Sequence, residues 1–197
     1  VEAYTSDGTA KAAAYEGFFV RGAGADVPAT DLGTSLSIPL ALKTADGYYT
    51  QILLSNPNDA PAKVSIRYSG NTGQHTVAMT IPAQGVANHS VYSDSTVPLG
   101  FVGSAAVTSD IPVAAVVFRS KKISPDSELD EDIYTAVNGV PASRASTTAY
   151  LPWVSRRAAR DASHEGANTW VSVSVAGGGA ANVTLRSIGG CGSVTTN

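Results

Sequence analysis

The sequence predicts an all-β fold built from β-sandwich repeats, and two observations carry that prediction. Residues 36–119 contain seven short runs in which apolar and polar side chains alternate, separated by clusters of Gly, Pro, Asn and Asp. Part of this pattern recurs later in the chain, which indicates an internal repeat. No segment has the pattern of a convincing amphipathic helix.

The seven runs define the strands of one complete module. Short alternating strands at this spacing are typical of an immunoglobulin-like sandwich. Alternation directs Ile52, Ile66 and Val117 inward, and it directs Arg67 toward water. The predicted strands are 36–43, 48–56, 62–69, 74–82, 85–92, 100–108 and 112–119.

Turn residues set the strand boundaries. Ser69-Gly70-Asn71-Thr72-Gly73 predicts a hairpin, and Asn56-Pro57-Asn58-Asp59 is interpreted as a second one. Pro82 and Pro112 are interpreted as strand ends, because proline lacks the N–H that a ladder needs.

The internal repeat defines the domain plan. Its matched segments are 38–40 with 151–153, 50–54 with 169–173, 64–67 with 183–186, and 70–73 with 189–192. We therefore predict a tail of a preceding repeat or a donor-strand segment, a complete module, a linker, and a second, partial module. These four parts cover 1–35, 36–119, 120–147 and 148–197.

The second copy stops at Asn197, within its fourth predicted strand, so its hydrophobic layer is expected to be incomplete. Each missing apolar side chain is worth about 1.5–3 kcal/mol, against a domain stability of about 5–15 kcal/mol. We expect completion either by further residues or by a strand from a neighbouring subunit, with 1–35 as the natural donor. Head-to-tail donation that does not close would build a filament.

Composition excludes several partners. Charged residues make up 15% of the chain and its net charge is -3. This charge produces no broad positive potential that would attract nucleic acid or an anionic membrane. No apolar run approaches the roughly 20 residues that span a bilayer. Cys191 is the single cysteine, so an intrachain disulfide and a Cys-based zinc site are excluded.

Several strand motifs resemble the tandem immunoglobulin-like β-sandwich repeats of large bacterial cell-surface and secreted proteins. The resemblance implies an extracellular structural or adhesive role and transfers no catalytic residue. It is carried by Ile38-Pro39-Leu40, Thr50-Gln51-Ile52-Leu53-Leu54-Ser55-Asn56, Ile81-Pro82-Ala83-Gln84-Gly85, Gly100-Phe101-Val102-Gly103-Ser104-Ala105-Ala106-Val107-Thr108-Ser109 and Pro112-Val113-Ala114-Ala115-Val116-Val117.

One acidic run is a candidate metal site. Asp126, Glu128, Asp130 and Asp132 alternate in the predicted linker, and carboxylates suit Ca²⁺. The run lacks the glycine of an EF-hand loop, so a solvated charge run is the alternative. No other cofactor is expected.

No catalytic constellation is found in the sequence, so an enzyme is not expected. His75, His89 and His164 stand apart, without other residues at ligand spacing, and are interpreted as surface histidines. No serine lies in a nucleophile elbow or a triad order.

Surface candidates complete the set. Asn88 and Asn182 begin Asn-x-Ser/Thr patterns and are glycosylation candidates. The tyrosines and tryptophans could form a sugar platform or fill core and interface positions; this set is Tyr48, Tyr49, Trp153 and Trp170. The subunit-interface candidates are Val1, Tyr4, Phe18, Phe19, Val20 and Trp170.

Together these features predict a structural extracellular protein at the cell surface. Its modules would associate end to end with copies of the same chain, in a filament or a surface layer. The alternative is a carbohydrate-binding or adhesive module that recognises surface glycans.

Overall fold

The prediction of an all-β chain is confirmed by a computed structural model, which describes residues 2–4, 10–16, 23–121, 133–149, 171–175, 180–189 and 192–196. The described residues form strands and two single turns of 3₁₀ helix, Ala29–Asp31 and Ala142–Arg144, with no α-helix among them. The chain divides into two compact units, Val1–Ala145 and Ser146–Asn197.

The first unit contains a three-stranded sheet, β1 to β3, and one curled antiparallel sheet of eight strands, β4 to β11. Its strands are β1 Glu2–Tyr4, β2 Ala10–Glu16, β3 Ala23–Pro28, β4 Gly33–Ala45, β5 Tyr48–Asn56, β6 Ala62–Gly70, β7 Gly73–Ile81, β8 Gly85–Ser90, β9 Phe101–Lys121, β10 Ile133–Asn138 and β11 Val140–Pro141.

Strand β9 belongs to both halves of the curled sheet. Its first half pairs with β4 and β6, and its second half pairs with β5 and β10. The predicted division into two strands at Pro112 is wrong, since one strand of 21 residues runs through that position. Pro112 lies between Ser109, the last residue paired with β6, and Ala114, the first paired with β5. A missing N–H is tolerated there because the ladder changes partners.

Side chains from both halves of the sheet fill the main core, and a second, smaller cluster buries Ala114 and Val116. The predicted inward positions on β5, β6 and the second half of β9 are buried, and Arg67 is exposed as expected. On β7, Ile81 is buried, while Val77 and Met79 are only half-buried against the core. The largest fully buried apolar side chains are Tyr68, Phe101, Leu36, Ile38, Ile52, Leu54, Ile66 and Ile81.

The two predicted hairpins have different outcomes. Gly70 pairs with Gly73 across a two-residue turn, so the β6–β7 hairpin is confirmed. The second is wrong, because β5 pairs with β8 and β9 whereas β6 pairs with β7 and β9. This connection crosses between the halves of the sheet, and the buried Asn56 amide holds it by donating to the carbonyl oxygens of Ala60 (2.8 Å) and Pro82 (2.9 Å).

β6 and β9 approach each other closely at Gly70 and Gly103, and the Phe101 ring occupies the space that side chains at these two positions would fill. A Cβ added at Gly70 would lie 2.7 Å from the Phe101 ring, and one added at Gly103 would lie 2.6 Å from it. These glycines therefore let the Phe101 ring lie over the strand pair and contact Tyr68 edge-on, at 5.8 Å between ring centroids.

The stretch assigned to a linker contributes strands to the first unit. β10 pairs with β9, and β11 pairs with β4. The Arg144 guanidinium that follows binds the buried Asp31 carboxylate. Apolar alternation is weak over so short a stretch, which explains why the sequence did not indicate these strands.

The described part of the second unit contains one hairpin, β12 (Leu185–Gly189) and β13 (Gly192–Thr196). Gly189 pairs with Gly192 across two residues, as Gly70 pairs with Gly73 in the first unit. These glycines occupy matched positions of the predicted repeat, and both matched segments form a hairpin with a two-residue turn.

Candidate functional site

Most site residues predicted from the sequence lie outside the described residues. The backbone of Tyr4 lies in β1, but its side chain is not described. The calcium and interface predictions therefore remain predictions. The candidates outside the described residues are Asp126, Glu128, Asp130, Asp132, Val1, Phe18, Phe19, Val20 and Trp170.

Within the described ranges, no three His, Cys, Asp or Glu side chains come together to hold a metal ion. No helix in these ranges is long and apolar enough to cross a bilayer.

Both glycosylation candidates lie at the surface. Asn88 is exposed on β8, where it is paired with Leu53, and Asn182 is exposed ahead of β12. Their modification remains a prediction.

Four ionisable side chains of the first unit lie around a loop that covers residues 91–100. We call Lys43, Tyr68, His89 and Asp94 the polar cluster. Val91 and Val97 anchor the loop in the core, where both are fully buried. Three strands and the loop supply the four side chains, so the cluster exists only in the folded unit.

Lys43 ties the loop to β4. It is buried, and its Nζ donates to the carbonyl oxygens of Asp94 (2.6 Å) and Val97 (2.8 Å). The backbone N–H of Gly100 donates to the Lys43 carbonyl at 2.8 Å. A buried ammonium is tolerated because carbonyl oxygens replace its lost hydration.

Asp94 shapes the loop with one carboxylate oxygen and faces His89 with the other. Its Oδ1 accepts from the Thr96 N–H (2.8 Å) and hydroxyl (2.7 Å), while its Oδ2 lies 3.4 Å from His89 Nε2. Only 11% of the His89 side chain and 8% of the Asp94 side chain are exposed. Within the described residues, Oδ2 and Nε2 have no hydrogen-bond partner.

Burial controls the protonation of this cluster. It lowers the pKa of His89, although the Asp94 carboxylate partly offsets this effect. Burial, and to a smaller extent Asp94, raises the pKa of the Tyr68 phenol. The lowered pKa keeps the His89 imidazole neutral at neutral pH, and the imidazole can take up a proton when the pH falls.

The interpretation of His89 as a surface histidine is wrong. β8 pairs His89 with Ile52, so the imidazole shares the inward face with a core isoleucine. Alternation with Ala87, which is half-buried against the core, is a signal in the sequence that could have placed it there. The burial of Lys43 had no such signal, because it depends on carbonyl groups of a distant loop.

An exposed apolar row marks the second unit. We call Val171, Val173 and Val175 the valine row; their exposed fractions are 42%, 56% and 41%. Val183 and Leu185 are also exposed. None of the described side chains between 146 and 186 is buried. Residues 171–175 form no strand, although a strand is predicted over 169–173, and Ser172 is exposed like the valines on either side of it.

Comparison with known proteins assigns this chain to no family. No family model matches it, and no curated protein matches it. The crystal structure of Thermotoga maritima 1070 is similar over 55% of this chain and 94% of that chain, with 13% identity and a TM-score of 0.46. The Anabaena sensory rhodopsin transducer is similar over 42% of this chain and 91% of its own, with 16% identity and a TM-score of 0.36. Likenesses at this level carry no functional argument.

Proposed function

We propose that this chain is a structural protein of the cell surface whose immunoglobulin-like modules associate with copies of the same chain, forming a filament or a surface layer. The observation that carries the proposal is the valine row. Contiguous exposed apolar side chains can mark association surfaces in soluble proteins. The extracellular location belongs to the same proposal and is supported by the low charge and the strand motifs described above.

The repeat strengthens this argument. Val171 and Val173 match Ile52 and Leu54 of the first copy, which are fully buried. Val183 and Leu185 likewise match Val64 and Ile66, which are buried. In the first unit these positions are covered by a sheet in which β9 pairs with both β5 and β6. Backbone from another chain could cover these positions, which are exposed in the described part of the second unit, as in donor-strand complementation.

The test compares two valines of similar exposure. Val173 is 56% exposed in the second unit, and Val86 is 58% exposed on β8 of the first. In sedimentation velocity across a concentration series, the unaltered chain is expected to form growing oligomers that negative-stain microscopy resolves. Val173→Asp should weaken association at least tenfold, and Val86→Asp should leave it within about twofold. A monomeric unaltered chain at every concentration would overturn the proposal.

Glycan binding is a second candidate, favoured by one aromatic pair. Tyr92 is 55% exposed and contacts the half-buried Tyr49 edge-on, with ring centroids 4.9 Å apart. Aromatic faces at a surface can bind the apolar faces of sugars. A glycan-array signal that Tyr92→Ala abolishes and Val86→Ala preserves would support this function, while an array without signal would reject it.

A further inference from the structure

One strand of the first unit has the geometry of an open edge. Among the described strands, β7 (Gly73–Ile81) pairs with β6 alone. All nine residues of β7 are in continuous register with β6, from Ala62 opposite Ile81 to Gly70 opposite Gly73. On the side away from β6, no described strand pairs with the backbone donors and acceptors of β7.

β7 lacks the features that usually protect an edge. Natural edge strands carry charged side chains, proline, a bulge or a short length, because any of these discourages pairing with another chain. The sequence of β7 is Gly-Gln-His-Thr-Val-Ala-Met-Thr-Ile, with no Asp, Glu, Lys, Arg or Pro. Its register with β6 shows no shift.

The two faces of β7 specify the strand that could be added. Val77 and Met79 point toward the core but remain half-exposed, and Ala78 between them is exposed on the opposite face. Side chains alternate along a strand, so an added strand would need apolar residues two positions apart over Val77 and Met79. Small polar residues would suit the face of Ala78.

The valine row has this pattern. Val171-Ser172-Val173-Ser174-Val175 places three exposed valines two positions apart, separated by serines. Both this segment and β7 are uncharged, so no like-charge repulsion opposes their contact. We propose that β7 of one copy accepts residues 171–175 of a second copy as an added strand. This inference rests on the proposed function and names the two surfaces that would meet.

The first experiment compares two variants. One places a lysine on the edge strand β7, and the other places it on the neighbouring strand β6. Ala78 of β7 and Ser65 of β6 are cross-strand partners on the same face of the sheet. Lysine at an edge discourages pairing. In sedimentation velocity of the full chain, Ala78→Lys should weaken self-association at least tenfold, while the control Ser65→Lys should change it less than twofold.

The second experiment identifies the two segments by crosslinking. In a Cys191→Ser background, chains carrying Ala78→Cys are mixed with chains carrying Ser174→Cys and oxidised. A disulfide between the two kinds of chain, formed faster than in either chain alone, is the expected result.

The outcomes separate this inference from the proposed function. If Val173→Asp abolishes association while Ala78→Lys has no effect and the mixed chains do not crosslink, the valine row binds elsewhere and the inference is overturned. If the unaltered chain does not associate at all, the proposed function fails first. Equal weakening by Ala78→Lys and Ser65→Lys would also reject the edge, since charge on the sheet face would then suffice.

Discussion

Matched positions of the predicted repeat differ in exposure between the two units. Ile66 on β6 is fully buried, whereas Leu185, its counterpart on β12, is 45% exposed. Both begin from the same alternation and both precede the same two-residue hairpin turn. In the first unit, β9 pairs with β6 on the side opposite β7; no described strand of the second unit has that place beside β12. Alternation therefore decides which side chains share a face, and a partner strand decides whether that face is buried.

The largest expected effect comes from a charge placed at these matched positions. Ile66→Asp puts an unpaired carboxylate in the core and should cost more than about 4 kcal/mol, enough to unfold the first unit. At concentrations where the chain is monomeric, Leu185→Asp should change the free energy of unfolding by less than about 0.5 kcal/mol, because the Leu185 side chain is exposed to solvent. Urea unfolding followed by far-UV circular dichroism measures both changes.

Arg67→Asp is the control within the same strand. Arg67 is exposed next to Ile66, so the same new carboxylate should be tolerated there. Comparable losses of stability in Ile66→Asp and Leu185→Asp would show that the second unit buries its apolar face as the first does. That result would contradict the difference in burial between the two positions.

The sequence predicted most of the strands between β4 and β9 because these strands carry local signals, but it did not predict β10 and β11. The bounds of β5 match the prediction, and the inward positions of β6 followed from alternation alone. The pairing partners carry no such local signal. Asn56-Pro57-Asn58-Asp59 has hairpin chemistry, yet it connects two strands that both pair with β9. Turn residues indicate where the chain reverses but not which strand it then joins.

The polar cluster was harder to predict for a related reason. Lys43 and Asp94 are buried because the loop over residues 91–100 folds back onto the end of the core and brings carbonyl groups to Lys43 Nζ. Their sequence separation is long, and neither residue type favours burial. Only His89 stood at a position where alternation with Ala87 could have revealed an inward side chain.

A smaller effect comes from removing two methyl groups in each region. Val107 is fully buried on β9, and Val173 belongs to the valine row. Val107→Ala should lower the free energy of unfolding by about 1.5–3 kcal/mol, since it removes buried apolar surface and leaves a cavity. Val173→Ala should lower it by less than about 0.5 kcal/mol at concentrations where the chain is monomeric.

Protein concentration sharpens this second comparison. If the valine row is buried between copies, the cost of Val173→Ala should appear and grow as concentration rises, because association stabilises the bound form by mass action. The cost of Val107→Ala should not change with concentration. Thermal unfolding measured at low and high protein concentration distinguishes the two variants. A loss of stability in Val173→Ala that does not depend on concentration would show that the contacts of Val173 lie within one chain.

The smallest effect concerns pH and the polar cluster. Burial lowers the pKa of His89 below its ordinary value of 6.5, so the folded state binds fewer protons than the unfolded state in this range. Stability attributable to His89 is therefore fully present above about pH 6.5 and is lost as the pH falls toward the lowered pKa. Uptake of one proton can change the free energy of unfolding by at most about 1.4 kcal/mol per pH unit.

The measurement is the free energy of unfolding of the full chain between pH 7.5 and 5, compared with that of His89→Asn. The groups that face His89 are Asp94 on the loop and Tyr68 on β6, while Lys43 on β4 binds the backbone carbonyl of Asp94. Over this range Asp94 partly offsets the effect of burial, so the loss should be shallow. His89→Asn should flatten the profile, because an asparagine takes up no proton. A profile that stays equally steep in His89→Asn would assign the pH dependence to other groups and remove the polar cluster from the account of how the first unit is stabilised.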